Sequence, residues 1–277
     1  MQVTFWGTRG TLPVPGPETV RYGGNSTCVS VLTDAEELLI LDAGTGIRNL
    51  GKQVAAQGGP RNATLFLSHS HWDHIQGFPL FAPAFDDRFS LTILGCAAHP
   101  QSLREILARQ QSSPVWPVPL GALRAQIDIG DYCMGWFDQG SVRIRTYPLC
   151  HPNGACGFRI EEKGRVLVFM TDNELPNRGP EWDGFAEFCE GADLLIHDAQ
   201  YTDVELEMRK GWGHSTFSQA VALAKQARVK RLALFHHDPD RTDAQMDILV
   251  ASIQNEVECS GAGLCVFAAA EGDTQIV

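Results

Sequence analysis

Residues 69–74 read His-Ser-His-Trp-Asp-His, three imidazoles and a carboxylate within one short stretch. Imidazole nitrogen and carboxylate oxygen together suit zinc, with manganese or iron as further choices. Residues 63–67, Ala-Thr-Leu-Phe-Leu, form an apolar run with the pattern of a buried strand. A strand that ends in such a knot of ligands places a metal on a loop. The spacing can divide the groups, with His69 and His71 on one ion and Asp73 and His74 on a second. A polar loop that happens to be rich in His is the bland alternative, and the strand-then-loop context counts against it.

Two ions need further ligands. His151 follows an alternating run at 142–147, Asp172 follows the apolar run 166–170, and His236 follows the run 231–235. Each is a ligand-type residue at or just past the end of an expected strand, and strand ends on one rim of a sheet can converge. His237 is the competitor for His236; in an extended segment its side chain points to the opposite side. Asp42 ends the run 38–41, where its carboxylate can hold a ligand imidazole or the backbone of the His-rich loop from behind.

These motifs resemble the metallo-β-lactamase superfamily, and within it the ribonuclease Z and cyclic-phosphodiesterase branch. The resemblance runs from Phe5-Trp6-Gly7-Thr8-Arg9-Gly10 and Tyr22-Gly23-Gly24-Asn25-Ser26-Thr27 through Leu41-Asp42-Ala43-Gly44 and the His-rich loop. It continues with His151-Pro152, Thr171-Asp172, Asp193-Leu194-Leu195-Ile196-His197-Asp198, Gly213-His214-Ser215-Thr216 and Phe235-His236-His237-Asp238-Pro239. It implies two divalent metal ions, with His69, His71 and His151 on the first and Asp73, His74 and His236 on the second. Asp172 would bridge them. It also makes Asp73, His214 and Asp198 the candidate catalytic residues. Asp198 stands where the ribonuclease Z pattern has Glu, and it would back His214, raising the imidazolium population. An imidazolium there could protonate a leaving alkoxide or stabilise charge on phosphorus.

The elements that must carry these residues follow from periodicity. Strand patterns recur in both halves, and helices are expected at 47–57, 101–110, 217–227 and 243–257. The expected fold is α/β, a four-layer αββα sandwich of two mixed sheets packed face to face with helices outside. Expected ligands span His69 to His236, so the expectation is one domain over residues 1–277. The Pro-rich stretch 113–120 reads as a connecting loop, His99 as a loop residue without a role, and His197 as a packed strand-end residue.

The chain has 277 residues, 22 Lys and Arg against 33 Asp and Glu, and a net charge of −11. That balance disfavours a grip on a long polyanion, which needs many basic contacts. Arg9 and Arg21 are isolated arginines of the N-terminal loops, expected at the surface, where they could also meet phosphate. There is no signal-type N-terminus, no 18-residue apolar run and no Cys-x-x-Cys pair among eight Cys. The expectation is a cytoplasmic protein without a membrane partner and with reduced thiols.

A dinuclear site can polarise a phosphoryl or carbonyl oxygen and hold a hydroxide near neutral pH. Members of the superfamily include β-lactamases, thioesterases, lactonases, oxidoreductases and phosphodiesterases, and fold alone does not choose among them. The His214–Asp198 element favours a phosphodiesterase. Ribonuclease Z proteins commonly carry a long tRNA-gripping arm between the positions matching His151 and Asp172; here residues 152–171 read as a turn and a hairpin. The expected substrate is therefore a small phosphodiester, such as a cyclic nucleotide or other cyclic phosphate. A carboxylic ester, thioester or lactone hydrolase is the competing class, tRNA 3′-processing a disfavoured one, and the full ligand set argues against a mere binding module. The resemblance also implies a homodimer.

Overall fold

The computed structural model describes residues 1–56, 59–96, 101–132, 134–261 and 263–277. His99 and the last residue of the expected helix 47–57 lie outside them. The first half of the chain builds β1 (Gln2–Gly7), β2 (Cys28–Leu32), β3 (Leu38–Leu41), β4 (Asn62–Phe66), β5 (Ser90–Cys96) and β6 (Gln126–Tyr132). The second half builds β7 (Gly135–Gln139), β8 (Val142–Leu149), β9 (Ala155–Glu162), β10 (Arg165–Met170), β11 (Leu194–Asp198), β12 (Arg231–Phe235) and β13 (Cys265–Ala268). A final strand, β14 (Thr274–Ile276), returns to pair with β1. The order is β14-β1-β2-β3-β4-β5-β6 in one sheet and β13-β12-β11-β10-β9-β8-β7 in the other. Each sheet is mixed: β3 to β6 and β10 to β13 pair in parallel, and the other neighbours are antiparallel.

Parallel strands must be covered on both faces, so they read as continuous apolar runs. The period of two still sorts their side chains. In β3, Leu39 and Leu41 face a core shared with the other sheet, whereas Leu38 and Ile40 face the outer helices. In β12, Ala233 and Phe235 face inward and Leu232 and Leu234 outward. Between the sheets Phe66, Phe158, Phe169 and Phe235 are fully buried and in ring contact in sequence, from 5.6 to 6.4 Å between centroids.

Helices close both outer faces. On the first sheet lie α1 (Ile47–Ala56) and α3 (Leu103–Gln110), separated in the chain by the single-turn α2 (Trp72–Ile75). On the second lie α4 (Pro180–Cys189), α6 (Phe217–Gln226) and α7 (Asp243–Cys259), with α5 (Asp203–Arg209) exposed between them. This is the expected four-layer sandwich. Helices α4 and α5 were not expected: α4 is marked by Pro at its first turn, and α5 has no buried residue to impose a period. The expected start at Gln101 moves to Leu103, because Ser102 caps α3 in a box with Glu105. Thr216 and Thr242 cap α6 and α7 in the same way.

Of the two arginines expected at the surface of the N-terminal loops, one is not there. Arg9 is not at the surface: its side chain is fully buried and donates to the carbonyls of Gly23, Asp238 and Arg241 at 2.8, 3.0 and 2.7 Å. It clamps the loop after β1 to the segment after β12, both of which reach the site. Arg21 is exposed and paired with Asp247. Leu120 of the Pro-rich segment packs against the outer core of the first sheet, as a connecting loop would. Among the described residues no helix is long and apolar enough to cross a membrane.

Replacing Arg9 removes the donors of three buried carbonyls, so Arg9→Met should lower unfolding stability by about 3 kcal/mol. Urea denaturation at fixed metal content measures this, and a loss below about 1 kcal/mol would refute the clamp.

Candidate metal centre

Strands β3, β4, β8, β10, β11 and β12 all run toward one rim, and the site stands on the loops that leave it. The turn into each loop is forced. Asp42, Asp172 and His236 have φ of 62°, 45° and 60°, the left-handed region that L residues seldom occupy. That turn swings each side chain from the strand's alternation to the rim. Close approach also demands glycine nearby: a Cβ on Gly10 would lie 2.4 Å from His236 Nδ1.

The side chains expected as ligands meet as two groups, His69, His71 and His151, and Asp73, His74, Asp172 and His236. Within each group the ligand atoms lie within 4.8 Å of one another. Asp172 stands between them. Its Oδ2 lies 3.7 Å from His69 Nε2 and 3.5 Å from His151 Nε2, and its Oδ1 lies 3.1 Å from both His74 Nε2 and His236 Nε2. Asp73 Oδ2 is 3.2 Å from His74 Nε2 and from His236 Nε2, and accepts the Thr11 N–H at 2.8 Å.

Each imidazole is held from behind, which sets the nitrogen it turns inward. Asp42 Oδ2 accepts from His74 Nδ1 at 2.8 Å and from the Ser68 hydroxyl at 2.8 Å. Because that hydroxyl spends its proton on Asp42, it accepts from His69 Nδ1 at 3.0 Å. His151 Nδ1 donates to Gly213 O at 2.9 Å, and His236 Nδ1 to Gln200 Oε1 at 3.0 Å. In these four rings Nε2 is the nitrogen that faces the centre. His71 is reversed: its Nδ1 lies 3.0 Å from His151 Nε2, while its Nε2 meets the Asn153 amide at 3.2 Å.

The donor set fits cations. His69 Nε2 and His74 Nε2 are buried without a hydrogen-bond partner, an arrangement that costs free energy unless something positive is bound. Burial works against the Asp172 carboxylate, but His236 and His74 more than offset it and hold it well below the usual range. Burial opposes Asp73 too, and His74 and His236 again hold it low. His69 is driven down by burial, toward the neutral form a metal requires.

His214 lies beside both groups. Its ring stacks on His236 with centroids 4.9 Å apart and meets His151 edge-on at 5.3 Å. Its Nδ1 is 2.6 Å from Asp198 Oδ2, so the shorter acid reaches. Asp198 is itself fixed by the N–H groups of Asn173, Gln200 and Ser215. Burial lowers the His214 pKa, but Asp198 and its hydrogen bond outweigh this and raise it to about 9. His197 is buried and turned to the Asp198 carbonyl. His237 donates to or accepts from nothing in the cluster; its Nε2 meets Ala269 O at 2.8 Å, and burial lowers its pKa to about 3.

Sequence reading missed Thr11, Asn153, Glu174 and Gln200. Gln200 and Glu174 each lie two residues beyond a strand-end Asp, so the strand-end rule would have found them. Glu174 accepts the N–H groups of Gly211 and Gly213 and so holds the loop that presents His214. Thr11 and Asn153 carry no such mark.

Residues 38–237 match the model of the beta-lactamase superfamily domain. A ribonuclease Z of Lacticaseibacillus casei is 26% identical over 284 residues, covering 85% of this chain and 84% of that protein. The human short-form tRNase Z superposes with a TM-score of 0.70 at 22% identity, covering 100% of this chain and 99% of that one. The metallo-beta-lactamase fold protein YhfI of Bacillus subtilis gives 0.73 at 19% identity, covering 99% and 98%. With the family's model matched from the third strand to the residue after His236, this chain belongs to the beta-lactamase superfamily and is a metal-dependent hydrolase.

Proposed function

We propose that this protein is a phosphodiesterase for small substrates such as cyclic nucleotides or other cyclic phosphates, using two divalent ions, zinc foremost. His69, His71 and His151 would hold one ion, Asp73, His74 and His236 the other, with Asp172 shared. Such ions supply Lewis acidity and lower the pKa of water. The observation that carries the reading is the buried His214–Asp198 pair set against the ligand cluster. Asp198 fixes the imidazole and favours its charged form; His214 then presents Nε2–H to the phosphoryl group and gives that proton to the leaving oxygen. An ester or thioester hydrolase has less use for a standing imidazolium.

The preference for a small substrate rests on the segment between His151 and Asp172. Strands β9 and β10 form a plain hairpin closed by Lys163-Gly164, both at positive φ, and no arm grows from it. The charge of −11 points the same way. The curated relatives named ribonuclease Z favour tRNA processing as the second reading.

One panel decides between them. Comparing kcat/KM at matched salt for cyclic mononucleotides, bis-p-nitrophenyl phosphate, acyl thioesters, lactones and a precursor tRNA should rank the phosphodiesters of small size first. Site-specific tRNA cleavage without turnover of small phosphodiesters would reverse the proposal, and turnover of acyl substrates alone would end it.

His214→Ala should retain metal yet lose roughly 10²–10⁴ in turnover of alkyl-leaving phosphodiesters. The loss should shrink for p-nitrophenolate, which leaves without a proton. Equal losses for both leaving groups would remove the acid role.

Asp172→Ala should empty both metal positions, and Asp73→Ala mainly one. Metal analysis of the wild type should give about two ions per chain; two ions retained in Asp172→Ala would disprove the bridge.

A further inference from the structure

Among the described residues, two thiols outside the cluster just described lie against each other. Cys96 is the last residue of β5 in the first sheet, and Cys156 lies on β9 in the second. Their Sγ atoms are 3.1 Å apart, across the junction of the two sheets. That is closer than two sulfurs sit without hydrogen bonding, and about 1 Å from the ~2.05 Å of a disulfide. The pair also borders the site. Cys96 lines a notch whose wall includes His69 and His71, and the Cys156 N–H donates to Ser68 O, one residue before His69. Met134 Sδ stands 3.8 Å from Cys156 Sγ.

We infer that Cys96 and Cys156 form a reversible dithiol–disulfide pair that staples the two sheets beneath the metal cradle. The oxidant is a peroxide small enough to enter the notch. The two thiols differ in access: Cys96 is half-buried on the notch wall, whereas Cys156 is 1% exposed. The hydrogen bond from Cys156 to Cys96, and then burial, push the Cys156 thiol up. Reaction therefore starts at Cys96. Its sulfur attacks one peroxide oxygen, the O–O bond breaks, and sulfenic acid and one water result. Cys156 sulfur then attacks the Cys96 sulfur, the S–O bond breaks, and the hydroxyl leaves with the Cys156 proton as a second water. Both electrons come from the thiols: two thiols and one peroxide give one disulfide and two waters.

The inference stands apart from the substrate and from the metals. Link formation joins β5 and β9 covalently across the two sheets, so it should raise Tm by roughly 5–15 °C.

The test treats the full-length, metal-loaded protein with stoichiometric hydrogen peroxide, alkylates remaining thiols and maps peptides by mass spectrometry. The expected result is a 96–156 linked peptide, 2 mass units lighter than the two thiol peptides together, that a phosphine reductant reverses. The link should be absent in Cys156→Ser and in Cys96→Ser. Both thiols remaining open to alkylation, sulfinic acid at Cys96, a link through Cys133, or sulfoxide at Met134 with intact thiols would each overturn the inference. The wild-type map decides even if a variant fails to fold. A linked protein with unchanged or lower Tm would overturn the stapling role.

Discussion

The Asp172 carboxylate is the point at which the two halves of the molecule meet electrostatically. It is almost fully buried, with His69 of the first sheet's His-rich loop and His151 of the second sheet at Oδ2, and His74 and His236, again one from each sheet, at Oδ1. A buried carboxylate without partners would be expelled or protonated. Here the two oxygens face different sets of rings, so the same charge holds both sets in place. Asp73 repeats the device at a smaller scale, between His74, His236 and the Thr11 N–H. Two carboxylates and five imidazoles in one pocket leave lone pairs aimed at its centre, and cations satisfy them.

Around that centre runs a ring of groups that never touch it directly. Asp42 orients His74 and, through Ser68, His69; Gly213 O orients His151; Gln200 orients His236. These partners come from four different loops, yet they are coupled. The loop that supplies Gly213 O to His151 also carries His214 and hangs on Glu174. Arg9 ties the loop bearing Gly10 to the turn after His236. The acid–base pair and the cradle thus share supports, so a change at Glu174 or Arg9 is felt at both. Asp198 gains its fixed position from three backbone N–H groups, which is why a carboxylate shorter than Glu still reaches His214.

The layered architecture was legible because its strands obey simple rules. Runs such as 38–41, 166–170 and 231–235 are apolar on both faces, as central parallel strands must be, and ligand-type residues follow them immediately. Helices α6 and α7 announce themselves by period and cap. What was illegible lacked a local signal: α5 buries nothing, and Asn153 and Thr11 matter only through neighbours distant in sequence. Arg9 misled for the same reason, since an isolated arginine gives no hint that three carbonyls wait for it.

By itself the sequence determined the chemistry: which residue types could hold metal, and that the segment between His151 and Asp172 holds no more than a turn and a hairpin. These follow from side-chain identity and spacing, which are local properties. The tertiary structure alone decided orientation. His236 faces the cluster and His237 faces Ala269 O because the backbone turns left-handed at one residue, after β12. His71 turns Nδ1 inward while its neighbours turn Nε2. Which ring nitrogen points where depends on partners up to 163 positions away, as for His236 and Asp73, and no one-dimensional pattern carries that information.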